Sequence, residues 1–370
     1  MAPPVRPLWV VSWGFAGCPL RGGNGPAWDE YTEQGETESK DTDFANAKKS
    51  IIAHYGAEAL TKSWLAVCQR LETVTEETIS KGCGMVPVLD AADLLGNGFT
   101  GEKKAEAKRI GSFVVRGLVG KSEAIQHCTD LRKYVADNKG KIQGWPAESP
   151  SMLMLYDSPV QNALRGNPNH LRLQRLLNEL WHNFDEETSS EPLVYYDGIR
   201  DRPPRQDFLG LGPHVDAGSL CRWADETDPA DMMDASKWTL DDTTSWFPGT
   251  FKTESQRLSR SSHPHLRLDE CLVHIPKMEP GDTVWWHTDV CHAVDPEHHG
   301  TENASVVYIA ACPSTPKNRA YVKRRLDETR AGRPPPDYAE GNVLDERTLE
   351  GYVGFDGFDK GAKTAFGFAL

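Results

Sequence analysis

The hydrophobic pattern changes period once, near residue 190, and that change restricts the fold more than any single motif. Before it, apolar residues recur at helical intervals: Phe44, Ile51, Ile52, Leu60, Trp64, Leu65, Val67, Cys68 and Leu71. Stretches 102–109, 121–138 and 171–183 keep this period. The last carries Leu171, Leu173, Leu176, Leu177, Leu180 and Trp181 on nearby faces. One early run, 112–119, reads instead as a strand ended by Gly120. After the change, the apolar residues come in short β-type runs at 193–196, 208–211, 271–275, 283–286 and 305–310, punctuated by Gly, Pro and Asp. Helices first and strands later predict an α+β chain whose second part is a β-sandwich core.

Domain limits follow from the same pattern. Residues 1–42 are rich in Gly, Pro and acids with weak periodicity, and read as a loose leader. Residues 43–360 read as one domain, with a mostly helical part at 43–190, a strand core at 191–315 and a C-terminal extension at 316–360. The tail from Pro334 is Pro-, Gly- and Asp-rich, with Tyr352, Phe355 and Phe358 available to pack it.

Composition narrows the function classes. The formal net charge is −13. An acidic surface repels phosphate backbones, so nucleic acid is not an expected partner, and Lys323-Arg324-Arg325 reads as a solvated helix face. No apolar run reaches the length of a membrane span. The apolar stretch 8–20 loosely imitates a signal peptide, but Gly14, Gly17 and Pro19 interrupt it. The 8 cysteines are scattered without a CxxC pair, which fits a reducing, cytoplasmic setting.

Two segments carry chemistry. Gly212-Pro213-His214-Val215-Asp216 has the form HxD, and in a strand residues i and i+2 share a face, so imidazole and carboxylate can meet at one point. Gly281-Asp282-Thr283-Val284-Trp285-Trp286-His287-Thr288-Asp289-Val290-Cys291-His292 offers a further histidine. Two histidines and one carboxylate make a facial triad that leaves coordination positions open, the arrangement that suits Fe(II) and oxygen. HxD alone also describes a strand histidine followed by a turn aspartate; the pair of segments in this order is what makes it specific. His263, His265, Cys271 and His274 match no standard zinc spacing.

This combination resembles the cupin-type 2-oxoglutarate oxygenases of the phytanoyl-CoA hydroxylase-like branch, and more closely the DUF1479 family. The matching text is Gly144-Trp145-Pro146-Ala147-Glu148-Ser149-Pro150, Leu209-Gly210-Leu211-Gly212-Pro213-His214, Ser262-His263-Pro264-His265-Leu266-Arg267-Leu268 and Gly281-Asp282-Thr283-Val284-Trp285-Trp286-His287. The resemblance covers about residues 43–360. It implies a double-stranded β-helix (jelly-roll) core with N-terminal helices. It also implies iron on His214, Asp216 and His292, with 2-oxoglutarate as cosubstrate in the oxidation of a small molecule.

The cosubstrate's far carboxylate calls for an arginine, the side chain best shaped for bidentate carboxylate binding. In the resembling branch it lies on the strand after the distal histidine, but here residues 300–306 contain none. The candidates are therefore Arg319, Arg222, and Arg200 or Arg202, with Ser305 adding a hydrogen bond. His287, Asp289, Trp286 and Tyr308 are candidates to line the pocket or orient a ligand; strand aromatics such as Trp285, Trp286 and Tyr308 also read as ordinary packing. Residues 223–262 are Asp-, Thr- and Ser-rich with little strand pattern. That leaves open a shortened cupin-like protein that binds metal or ligand without turnover.

Overall fold

A computed structural model describes residues 11–12, 43–181, 184, 186–206, 212–216, 256–260, 263–287, 290–339 and 344–370. The class is α+β. Among the described residues seven α-helices, with short strands between them, lie before residue 190: α1 Asp43–Tyr55, α2 Ala57–Lys81, α3 Ala91–Asn97, α4 Gly101–Ile110, α5 Lys121–Asp137, α6 Pro159–Arg165 and α7 Pro168–Trp181. The strands are β1 Val11–Ser12, β2 Val88–Asp90, β3 Ser112–Arg116, β4 Gly144–Trp145, β5 Met152–Leu153, β6 Ser189–Leu193, β7 Ile199–Arg202, β8 His214–Val215, β9 Gln256–Arg257, β10 Thr283–Trp286, β11 Ala304–Val307 and β12 Cys312–Ser314. Eight of them form one sheet in the order β2-β3-β10-β1-β11-β7-β5-β4, while β12-β6 and β8-β9 form two small pairs. Among the described residues no sheet closes into a barrel. Within the expected loose leader, β1 inserts between β10 and β11, pairing Val11 with both Thr283 and Val307.

Strand alternation gives the large sheet two different faces. Register pairs Trp285 with Phe113, Thr283 with Val115, and Val307 with Ile199. These residues turn one way, into a core shared with Leu118, Leu131, Leu164, Leu173 and Leu177 of the helical part. Trp285 is fully buried there, and its indole N–H donates to Thr283 Oγ1 at 2.7 Å. The alternate residues Val114, Val284, Trp286 and Val306 turn the other way, with Arg200 and Arg202 in register beside Val306 and Ala304. The candidate site lies on this second face.

The Gly281-Asp282 pair is a structural joint rather than a ligand. Gly281 has φ 93, and a Cβ there would lie 2.1 Å from Val119 O, so only glycine fits. Asp282 accepts from the Gly117 N–H at 2.9 Å and the Glu279 N–H at 2.8 Å, and pairs with Arg116. It thereby clamps the start of β10 to the turn after β3. Asp282→Ala leaves these donors without their acceptor. It is expected to lower unfolding stability by about 2–3 kcal/mol, read as a lower urea midpoint with unchanged slope.

Two local expectations are corrected, and the expected run at 208–211 lies outside the described residues. Residues 271–275, read as a strand, begin with the end of a short helix, Leu268–Cys271, and continue without regular structure. Leu272 of this run packs against Leu268, Leu266, Leu258 and Val215, so local burial rather than strand pairing uses it. The run at 193–196 is strand only to Leu193, where β6 ends. Conversely, Ile199–Arg202 is a sheet strand that its charges concealed.

The extension after β12 folds back on the body. Helix Pro316–Arg330 is followed by a tail whose Phe355, Phe358 and Phe366 cluster with Tyr156, Leu171 and Tyr196. Tyr352 donates to Asp157 Oδ2 at 2.7 Å. Glu346 accepts the N–H groups of Tyr156 and Asp157, each at 2.8 Å. Burial, with Asp157's charge, pushes its carboxyl up to about 8. A carboxyl raised in the folded state stabilises the fold below its unfolded pKa and loses that contribution as pH climbs through the folded one. Stability is therefore expected to fall between pH 5 and 8. Glu346→Gln should flatten that slope, at the cost of one hydrogen bond, in urea titrations across the range.

Candidate metal centre

His214 and Asp216 sit at β8, the short strand left after Gly212-Pro213, and His292 lies beyond the end of β10. Backbone pairing brings the two segments together. His214 N–H donates to His292 O and His292 N–H to His214 O, both at 2.9 Å. This antiparallel bridge sets the two imidazoles side by side, with centroids 4.2 Å apart. Both Nε2 atoms approach the same carboxylate oxygen, Asp216 Oδ1, at 3.7 Å from His214 and 3.5 Å from His292. Among the described residues this is the one group of His, Cys, Asp or Glu arranged to hold a metal ion, all three ligand atoms lying within 4.8 Å of one another.

Each imidazole is oriented by its own chain. His214 Nδ1 is 2.7 Å from Gly212 O, and His292 Nδ1 is 2.9 Å from Val290 O. A carbonyl only accepts, so each Nδ1 carries the proton, and in the neutral ring Nε2 keeps the lone pair. The carboxylate is held as well: Trp286 Nε1 donates to Asp216 Oδ2 at 2.9 Å, leaving Oδ1 to the histidines. The Trp286 ring also lies 4.9 Å from the His292 ring. A pocket-lining candidate thus positions one ligand and walls another.

The charges suit a cation. Burial, followed by the charge of His292, lowers His214 to about 4, so it is neutral near pH 7. Burial disfavours ionised Asp216. The His292 hydrogen bond and charge, His214 and the Trp286 N–H outweigh this and hold its carboxyl below the ordinary range. Burial likewise opposes a charged His292, but its bond to Asp216 raises it. Two imidazole nitrogens and a carboxylate oxygen are the donor set of a mononuclear iron site. Adjacent ligands of an octahedral ion stand about 3 Å apart, close to the separations seen here.

The other candidates separate by strand face and by partner. Arg202 is buried, but its guanidinium donates to Asp295 O and Pro296 O at 2.6 Å and to Gln206 O, so it ties the loop after His292 to β7. Arg319 donates to Glu187 O at 3.0 Å and Ser314 Oγ at 3.2 Å, beside the β6–β12 pair. Ser305 lies on the helical face, donating to Asp201 Oδ1 at 2.6 Å with Cys128 Sγ 3.6 Å away. His287 stands outside the triad, its N–H donating to Gly111 O at 2.6 Å. Arg222 and Asp289 lie outside the described residues. Arg200 is 6% exposed, lies on the same strand face as Arg202, and its charge acts on both His214 and the Tyr308 hydroxyl. The loop carbonyls that engage Arg202 are not displayed by any sequence pattern.

Comparison with known proteins extends these observations. The protein YbiU of Escherichia coli strain K12 is 25% identical over 338 residues, covering 70% of this chain and 80% of YbiU. The solved structure of hypothetical protein JW0805 from E. coli superposes with a TM-score of 0.70 at 23% identity, covering 90% of this chain and 99% of that one. The GlcNAc Inducible Gene 2 protein of Candida albicans, a DUF1479 protein, does so with a TM-score of 0.72 at 20% identity, covering 90% of each chain. These structures share the fold. The Gig2-like family matches residues 38–229 and 229–368, and the two pieces meet inside 223–262, where the strand pattern is thin. With nearly all of the chain beyond its first residues matched in this way, it belongs to the Gig2-like family.

Proposed function

We propose that this chain is an Fe(II)- and 2-oxoglutarate-dependent dioxygenase that oxidises a C–H bond of a small molecule. The observation that carries this reading is the convergence of His214 Nε2, His292 Nε2 and Asp216 Oδ1 on one point, each oriented by a second hydrogen bond. Iron with 2-oxoglutarate and dioxygen, when bound, supplies the oxidising power for such a reaction. The chain's own part is positional. His214, Asp216 and His292 hold the metal, Trp286 fixes Asp216, and Arg200 receives the cosubstrate's distal carboxylate. Under the same reading the core is a double-stranded β-helix. A cytoplasmic setting agrees with the described cysteines, all of them free thiols. The net charge of −13 speaks against a nucleic-acid partner. Among the described residues no helix is long and apolar enough to cross a membrane.

Anaerobic reconstitution with Fe(II), then 2-oxoglutarate, tests the reading. A weak visible metal-to-ligand charge-transfer band is expected. Arg200→Met is expected to keep its iron and to need at least ~10-fold more 2-oxoglutarate for the same band. Iron without any band in the parent would leave a cupin-like protein that binds metal without turnover. Failure to bind iron would remove the metal assignment altogether.

A further inference from the structure

A single residue, Gly111, joins α4 to β3. It has φ 72 and ψ −1 and caps α4, its N–H donating to Ala107 O at 2.9 Å. A left-handed cap explains the glycine only in part, because asparagine also tolerates that conformation. Space explains the rest. A Cβ at Gly111 would lie 2.8 Å from Val290 Cγ2 and 3.8 Å from His287 Cβ. The first contact is closer than packed carbons allow, and valine is stiff about χ1, so its methyl does not swing aside freely. A side chain at 111 would therefore press on the turn from His287 to Val290.

That turn leads to a metal ligand. Register pairs Trp286 with Ser112, and the next residues along, His287 and Gly111, continue the ladder through a 2.6 Å bond from His287 N–H to Gly111 O. There β10 has ended and the chain turns. Val290 N–H donates back to His287 O at 2.9 Å, and Val290 O accepts from His292 Nδ1 at 2.9 Å. Three hydrogen bonds thus run from Gly111 through His287 and Val290 to the His292 ring. The main chain of His292 has its own anchor in the bridge to His214. What the turn sets is the place of the Val290 carbonyl, and with it the rotation of the imidazole.

We propose that Gly111 is a positioning residue of the metal centre: its missing side chain seats Val290, and the Val290 carbonyl then aims His292 Nε2 at Asp216 Oδ1, 3.5 Å away. The inference rests on the metal-centre reading for its consequence and on the contacts above for its geometry. It gives the cap of α4 a part in setting ligand geometry, and it gives His287 a main-chain role in place of a side-chain one.

The test compares Gly111→Ala, Val290→Ala and the double variant in the full chain. Anaerobic Fe(II) titration should show Gly111→Ala at least ~10-fold weaker than the parent, the loss expected when a ligand's orienting partner is displaced. Val290→Ala removes the methyl that a new Cβ would strike but keeps the carbonyl. It and the double variant should therefore bind within about 3-fold of the parent. The urea midpoint of the double variant should stay below the parent's, because the left-handed strain of alanine and the loss of the valine methyls remain. A merely structural role would make affinity follow that midpoint. In metal-free protein, amide exchange at Val290 and His292 should be faster in Gly111→Ala and parent-like in the double variant. Parent-like affinity in Gly111→Ala, or a loss that the double variant does not recover, overturns the proposal. If Gly111→Ala does not fold, the double variant decides: parent-like affinity supports the seat and a loss overturns it. A parent that binds no Fe(II) overturns the metal reading alone. Amide exchange then judges Gly111, faster and recovered exchange supporting the seat and unchanged exchange overturning it.

Discussion

A His214→Ala variant should lose at least ~100-fold in Fe(II) affinity while keeping its fold, measured by anaerobic calorimetric titration. The expectation follows from how the site is built. His214 supplies one of only three donor atoms, and its Nε2 and that of His292 share a single carboxylate oxygen. Removing the imidazole leaves a bidentate remnant, which water cannot turn back into a facial triad. The fold should survive because the bridge between the two segments is made by the main chain of His214 and His292, not by their rings. Trp286→Phe provides the graded comparison. It deletes the 2.9 Å bond to Asp216 Oδ2 but keeps an aromatic ring beside His292. Second-layer losses of this kind cost about 10–100-fold in metal affinity. Parent-like, stoichiometric binding by His214→Ala would sink the assignment, whereas an unaffected Trp286→Phe would show only that Asp216 needs no orienting partner.

The second large effect concerns stability. The Tyr196 ring is sandwiched between two fully buried arginines, with the Arg165 guanidinium carbon 4.7 Å and that of Arg325 4.1 Å from its centroid. The two look alike in sequence but differ in their partners. Arg165 donates from both Nη atoms, to Tyr156 O and Asp197 O. Arg325 donates from Nη2, to Phe366 O at 3.0 Å and Val194 O at 3.3 Å, while among the described residues its Nε and Nη1 have no partner, against Nε alone in Arg165. Arg165→Met strands the Tyr156 carbonyl and takes one of two donors from the Asp197 carbonyl, and is expected to cost about 3 kcal/mol. Arg325→Met also takes a donor from the Val194 and Phe366 carbonyls, but it removes an under-satisfied charge and its repulsion of Arg165, so it should cost less than Arg165→Met, about 1–2 kcal/mol. Urea unfolding of the two variants checks this. An equal loss for both would show that the ring contacts, rather than the hydrogen bonds, carry the energy.

How much was legible beforehand depended on whether a feature is local. The HxD spacing places His214 and Asp216 on one side because side-chain direction in a strand has period 2, and the structure does bring those two together with His292. Thr283–Trp286 is a strand as read, since its β-branched and aromatic residues suit a pleated surface. The run at 271–275 satisfies the same composition rule, yet it is not a strand. Among the described residues no strand pairs with it, and its Leu272 packs against the cluster of Val215 and Leu258 instead. Ile199–Arg202 shows the reverse: Arg-Asp-Arg reads as solvent-exposed, yet β5 and β11 flank it and both of its arginines are buried.

The sequence by itself determined the α+β class, the mostly helical first half, the late strands and the shared side of His214 and Asp216, because each rests on periodicity or spacing within a few residues; His292, far along the chain, came from the resemblance of its segment. Tertiary structure alone decided that loop carbonyls engage Arg202, that Ser305 turns to the helical face, and that Trp286 holds Asp216. Those outcomes depend on strand register and on hydrogen bonds between residues up to 104 positions apart. Long-range pairing of that kind is set by the packed fold as a whole, not by any local pattern in the chain.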